Sequence, residues 1–199
     1  MILLTLYGPI ISDFISLLWR ACRVMELGVL AAALAVVLGL VVYALMTGVA
    51  PAPTSPRVAS VMLDLIPPGI EGVVFELGSG WGNLAFPLAR RLPRCTVRAL
   101  EISPLPWLFS KVRHRVEPLT NLSIRRADFH PVALGDAALV VCYLFPAGMD
   151  TLKTKLEAEL KPGAYVLSNT FSVPGWRPEA VRRADDLYAT TVYLYRMPE

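Results

Sequence analysis

Val73-Val74-Phe75-Glu76-Leu77-Gly78-Ser79-Gly80-Trp81-Gly82 runs from an apolar stretch into an acid and three alternating glycines. A short apolar run bounded by glycines reads as a buried strand. Glycines at 78, 80 and 82 allow a tight turn and let a ligand approach bare backbone. Asn83–Leu92 then reads as a helix stopped by Pro93. A dinucleotide fingerprint of the form GxGxxG would need glycine at 83, where the chain has Asn. A pyrophosphate would be repelled by Glu76, two positions before the first glycine. A ligand carrying an ammonium and a sulfonium would be attracted by it. Glu76, Gly78, Ser79, Gly80 and Gly82 are therefore candidate binding residues.

Working outward, strand and helix patterns alternate. Arg57–Ile66 is a helical approach closed by Pro67-Pro68-Gly69. Thr96–Ile102 is a second strand. Ser103 is a natural N-cap with Pro104 behind it, opening a helix to about Val116. Leu122–Ala127 is a third strand, and Ala137–Leu144 has the continuous apolar run of a strand covered on both faces. Asp150 is the expected cap of a helix carrying Leu152, Leu156 and Leu160. Ala164–Asn169 and Leu187–Arg196 complete the strands. The pattern predicts an α/β fold, a mostly parallel sheet with helices on both faces and right-handed crossovers.

Ligands of such sheets sit at the carboxyl ends of the strands. Glu101 ends the second strand, where a carboxylate can accept from a ribose diol. Asp128 ends the third, where it can accept from an adenine amine, with Phe129 offering a ring face. Three acids on three successive strand ends are more specific than any one alone.

Composition divides the chain. Of 199 residues, 55% are hydrophobic and 18% charged, against about 25% charged in an ordinary soluble domain. Residues 1–56 carry only Asp13, Arg20, Arg23 and Glu26, so the net +3 lies entirely beyond them. That weak, mixed charge argues against a nucleic-acid partner. Leu27–Ala50 has no charge and is long enough to span a bilayer. Residues 9–24 place Ser12, Asp13, Ser16, Arg20 and Arg23 on one helical face, as in an interfacial helix. The expected organisation is an anchor over 1–50 (interfacial helix 9–24, span 27–49), a Pro-rich linker over 51–56 and a catalytic domain over 57–199. Cys22, Cys95 and Cys142 form no CxxC pair and read as buried free thiols, with neither a disulfide framework nor a metal site expected.

Glu76–Gly82 resembles motif I of class I S-adenosylmethionine-dependent methyltransferases, and Glu101 and Asp128 resemble their acids on strands two and three. Glu101-Ile102-Ser103-Pro104 with Trp107, and Phe171-Ser172-Val173-Pro174-Gly175-Trp176, are similar to stretches of the membrane-anchored protein lysine methyltransferases. That family includes the enzymes acting on the adenine nucleotide translocase and the ATP synthase c-subunit. Ser103 departs from the usual Asn, and Ala50–Ser55 lacks the aromatic of the family's Pro-rich stretch. The resemblance implies a Rossmann-like methyltransferase fold behind an N-terminal transmembrane helix, S-adenosylmethionine as cofactor, and a lysine of a membrane-associated protein as acceptor. A lipid or quinone-like acceptor and a non-catalytic cofactor-binding module are the alternatives. It also implies that Cys142-Tyr143-Leu144-Phe145-Pro146 faces the acceptor, which makes Tyr143 the candidate for orienting the amine.

Other side chains read as structural. His114 is expected on a solvated helix face, His130 in a structural role, and Asp185-Asp186 in a solvated turn. Trp81 and Trp176 could line the pocket, meet the membrane or simply pack. The positive-inside rule applied to Arg20 and Arg23 would put the body outside, whereas a cytosolic cofactor requires it to be cytoplasmic. An outward N-terminus, a hairpin with residues 2–19 as a second span, or a monotopic head would reconcile the two.

Overall fold

The computed structural model of the chain describes residues 2–47 and 53–199. The chain forms two compact units, Met1–Pro51 and Ala52–Glu199.

The described residues of the first unit form one helix, α1 (Ile2–Thr47). At 1.5 Å per residue its 46 residues extend roughly 69 Å, about twice a hydrocarbon core. Leu17–Gly39 is long and apolar enough to cross a membrane, and none of it is buried. The expected break between an interfacial helix 9–24 and a span 27–49 is absent. Val24-Met25-Glu26-Leu27 contains no glycine, proline or cap to stop the helix. The same continuity removes the hairpin, which would need a turn after residue 19. Cys22 is exposed on this helix rather than buried.

The second unit opens with α2 (Pro56–Leu65). Ser55 caps it by accepting from the Val58 N–H at 3.3 Å. Pro56 therefore belongs to the first helical turn, where its missing N–H costs nothing, and not to an extended linker. Positions 51 and 52 of that linker lie outside the described residues. The remaining elements are β1 (Gly72–Leu77), α3 (Ala85–Arg91), β2 (Cys95–Glu101), α4 (Pro104–Val116), β3 (Leu122–Arg126), β4 (Ala137–Cys142), α5 (Pro146–Glu159), β5 (Tyr165–Asn169), β6 (Ala180–Arg183) and β7 (Thr191–Arg196).

The seven strands lie in the order β3-β2-β1-β4-β5-β7-β6. β1 to β5 are parallel, and β7 runs antiparallel between β5 and β6. The order reverses at β1, which pairs with β2 on one side and β4 on the other. That switch point opens a crevice beyond the strands' carboxyl ends.

Alternation along the strands builds two apolar layers. Val74, Val97, Ala99, Leu139 and Val141 meet the helix residues Met62, Phe86 and Leu88. Phe75, Leu77, Leu100, Val140 and Cys142 meet Met149, Leu152 and Leu156 of α5. Each fully buried large side chain contributes about 1.5–3 kcal/mol, so both faces of the sheet are held against helices.

The differences from expectation are local. α5 starts at Pro146 behind an extended Phe145, so Asp150 lies inside the helix and does not cap it. β7 begins at Thr191, and the unexpected β6 pairs with it as a hairpin. Asp186 shapes the hairpin turn by accepting from Thr190 N–H at 2.7 Å and Thr190 Oγ1 at 2.6 Å. His114 is half-buried, its Nε2 lying 3.1 Å from Leu119 O and its ring edge-on to Phe86.

Candidate cofactor and active site

Gly78, Gly80 and Gly82 all have positive φ, at 76°, 53° and 77°. β2 and α4 fix the loop they form. The N–H groups of Gly78 and Ser79 both donate to Leu100 O at 2.9 Å. Gly80 N–H donates to Glu101 Oε2 at 2.7 Å, and Ser110 Oγ donates to Gly80 O at 3.0 Å. Glycine is required at 82 by space as well as by φ. A Cβ there would stand 3.0 Å from Phe86 Cε2 and 3.1 Å from Ser110 Oγ. At Gly80 a Cβ would meet nothing within 4 Å, so the loop is open at that point.

Glu101, expected as a ribose acceptor, is itself hydrogen-bonded within the fold. Its Oε1 accepts from Ser103 N–H at 2.7 Å while Oε2 holds Gly80, so one buried carboxylate ties the glycine loop to the start of α4. Each carboxylate oxygen has a second acceptor direction left for a diol.

Glu76 is buried beside this clasp, and its Oε2 has no hydrogen-bond partner. Burial, and then the Glu101 carboxylate, push its pKa well above the usual carboxylate range. Ser79 Oγ is also buried without a partner. Two unsatisfied polar atoms at one loop are costly in the absence of a ligand.

Asp128 is about half exposed, just beyond β3. Its Oδ1 accepts from His130 N–H at 2.9 Å and faces His130 Nδ1 at 2.7 Å. The His130 N–H, and then its side chain, hold the Asp128 carboxyl below its ordinary pKa. Both bonds fall on Oδ1, which leaves Oδ2 for a ligand. Phe129 stacks on the His130 ring at 4.3 Å and 22°, so one face of the expected adenine platform is occupied.

Tyr143 follows β4 and stacks on Phe171 at 6.4 Å and 20°; Phe145 lies 6.0 Å from the same ring. Phe171 leaves β5 through Thr170, a β-branched residue with φ of 67°. That strained conformation is held by Thr170 N–H to Thr191 O at 2.8 Å and Ser168 Oγ to Phe171 O at 2.5 Å. No sequence signal marks a positive φ at threonine, so this aromatic wall was legible only as a family-like stretch. Trp81 meets Phe109 edge-on at 5.5 Å. Trp176 packs on Tyr195 and donates to Glu157, a structural use.

The profile of the ANTKMT methyltransferase domain matches residues 76–180, from Glu76 through Glu101, Asp128 and Tyr143. The chain belongs to this methyltransferase family. It is 31% identical over 157 residues to a protein-lysine N-methyltransferase of Saccharolobus islandicus, covering 74% of this chain and 92% of the relative. It is 35% identical over 117 residues to the adenine nucleotide translocase lysine N-methyltransferase of Mus musculus, over 57% of this chain but only 49% of that protein. Among solved structures, an RNA methyltransferase from Salinibacter ruber in complex with S-adenosyl-L-homocysteine superposes with a TM-score of 0.63. That pair is 26% identical and covers 74% of this chain and 95% of the other. The methyltransferase fold read from the glycine loop and the three acids is the fold observed.

The cofactor of this class is S-adenosylmethionine, and the residues present fit it. The unpartnered Glu76 Oε2 and Ser79 Oγ and the open space over Gly80 are what a polar, cationic ligand would complete.

Proposed function

We propose that this enzyme methylates the ε-amino group of a lysine in a membrane-associated protein. In this reading residues 1–50 are the anchor, α1 provides one span, and the domain over 57–199 works on the cytoplasmic side, where the cofactor is made. The likeness to protein-lysine methyltransferases, with the family profile running from Glu76 past Tyr143, carries the lysine reading. The apolar Leu17–Gly39 segment supports the membrane reading.

S-adenosylmethionine, when bound, supplies a sulfonium methyl group open to displacement. Glu76, once ionised, holds its ammonium, and the loop of Gly78, Ser79, Gly80 and Gly82 takes its amino-acid end. Glu101 accepts the ribose hydroxyls. Asp128 Oδ2 accepts the adenine amine against the Phe129 ring. Tyr143, held by Phe171, directs a neutral amine along the line of attack through its hydroxyl. Charge disperses in such a transfer, so alignment can supply up to roughly 7–11 kcal/mol without a dedicated base.

The test is methyl transfer from labelled cofactor by the full chain in membranes that contain candidate acceptors. Label is expected on lysines of membrane proteins. Tyr143→Phe is expected to lower kcat roughly 10–100-fold, about 1.4–2.7 kcal/mol of transition-state positioning, with cofactor affinity unchanged. Label confined to the lipid extract would replace the lysine with a lipid acceptor.

A further inference from the structure

Helix α4 is apolar on the wrong side. Its buried residues are Pro106 and Ser110, and Trp107 and His114 turn toward the same face. Leu105, Leu108, Phe109, Val112 and Val116 recur at i, i+3, i+4, i+7 and i+11, one continuous stripe. All five are exposed, from 43% at Leu105 to 82% at Val116. Ile102, 54% exposed just before the helix, extends the stripe toward the crevice. Contiguous exposed apolar surface marks a contact site.

Charge selects the partner. α4 contains Lys111, Arg113, His114 and Arg115 and no acidic residue. Arg113 is engaged inward, stacked over Phe86 and paired with Glu117. Lys111 and Arg115 flank the stripe. Arg126 reaches Ile102 O at 3.4 Å and adds a third basic group at its crevice end. A second copy meeting this helix would bring like charges together. An apolar face rimmed by lysine and arginine is the pattern of a helix lying in a lipid interface.

We propose that α4 is a second membrane contact, docking flat on an anionic bilayer with Leu105, Leu108, Phe109, Val112 and Val116 inserted and Lys111, Arg115 and Arg126 among the headgroups. The inference rests on the anchored reading above only for its supply of membrane. The apolar segment and the domain belong to one chain, with 16 residues between Gly39 and Pro56. Because α4 follows directly on Glu101, docking would hold the mouth of the crevice at the lipid surface, where a membrane-embedded acceptor presents its lysine.

The experiment uses the full chain in nanodiscs loaded with one copy each, in a Cys22→Ser background. An environment-sensitive fluorophore is attached at Val112→Cys, with Leu187→Cys on the β6–β7 turn as control. The discs contain brominated lipid, with or without phosphatidylserine. The label at 112 is expected to be quenched in anionic discs and that at 187 is not. Lys111→Gln and Arg115→Gln are each expected to lower the ratio of docked to undocked helix about fivefold. Leu108→Asp is expected to abolish quenching while leaving cofactor binding intact. A chain that stays on the discs with residue 112 unquenched overturns the docking and leaves the anchor standing. Shielding of residue 112 that appears only when two copies share a disc also overturns it, in favour of a dimer. A wild-type chain that fails to stay on anionic discs overturns both readings.

Discussion

Alanine at Gly82 and alanine at Gly80 are expected to fail in different ways. At Gly82 the backbone φ of 77° costs an L-residue about 1–2 kcal/mol. The new Cβ would also lie 3.0 Å from Phe86 Cε2 and 3.1 Å from Ser110 Oγ. Both neighbours are fully buried, so neither can retreat into solvent. Overpacking of this kind costs about 1–3 kcal/mol, and displacing Ser110 weakens its bond to Gly80 O. The expected loss is about 2–5 kcal/mol, a drop in Tm of roughly 5–20 °C for a domain of this size. At Gly80 the added Cβ meets nothing, and a φ of 53° is close to the left-handed minimum. Only about 1 kcal/mol of stability should be lost. The methyl group would stand in the open loop instead, and cofactor affinity should fall at least about tenfold, roughly 1.4 kcal/mol. Thermal unfolding of the full chain, followed by tryptophan emission, and calorimetric titration with S-adenosylmethionine measure the two quantities. A Gly82→Ala protein melting within about 2 °C of wild type, or a Gly80→Ala protein with wild-type affinity, would refute the loop geometry.

Other expectations follow from charge and burial. Glu76 has a folded pKa raised above 4.5, so the cofactor-free protein keeps a proton there that the unfolded chain has released. That contribution to stability is full below pH 4.5 and is lost as pH rises through the folded value; denaturant titrations across pH should show the decline, and Glu76→Gln should flatten it. Cofactor affinity should rise through the same window, because the ammonium selects the ionised carboxylate. Asp128→Ala should change Tm little, since the Asp128–His130 pair is half exposed, yet weaken cofactor binding roughly 10–150-fold, as a hydrogen bond to a charged acceptor is worth about 1.5–3 kcal/mol. Cys142, with its thiol pushed up to about 12 by burial, and the buried Cys95 should resist iodoacetamide at pH 8 until the domain is unfolded; mass spectrometry of the alkylated protein checks this.

Much of the catalytic unit was legible because its signals are local. Gly78, Gly80 and Gly82 after an apolar run, Pro104 after Ser103, and the leucines of α5 at i, i+4 and i+8 each depend on neighbours within a few residues. So did the positions of Glu76 and Glu101 near strand ends. Element starts were less legible: Pro146 and Pro56 open helices through their own fixed φ, and both Asp150 and the linker reading were displaced by it. The cap on a helix is decided by which residue wins the first turn, and several candidates lay close together.

What the sequence determined by itself was the chemistry available: an acid ahead of a glycine loop, two further acids at the ends of the next two strands, and a long uncharged segment far from all of them. Tertiary structure decided how those groups are used. It turned Glu101 into the clasp between Gly80 and Ser103, and gave Asp128 the imidazole of His130 as partner. It forced Thr170 to positive φ so that Phe171 could stack on Tyr143. It also turned the apolar stripe of α4 outward, although periodicity alone would assign such a stripe to the core. The physical reason is range. Propensity and capping act over a turn or two of chain, whereas strand order, buried hydrogen bonds and the choice of inward face depend on residues brought together only when the sheet closes.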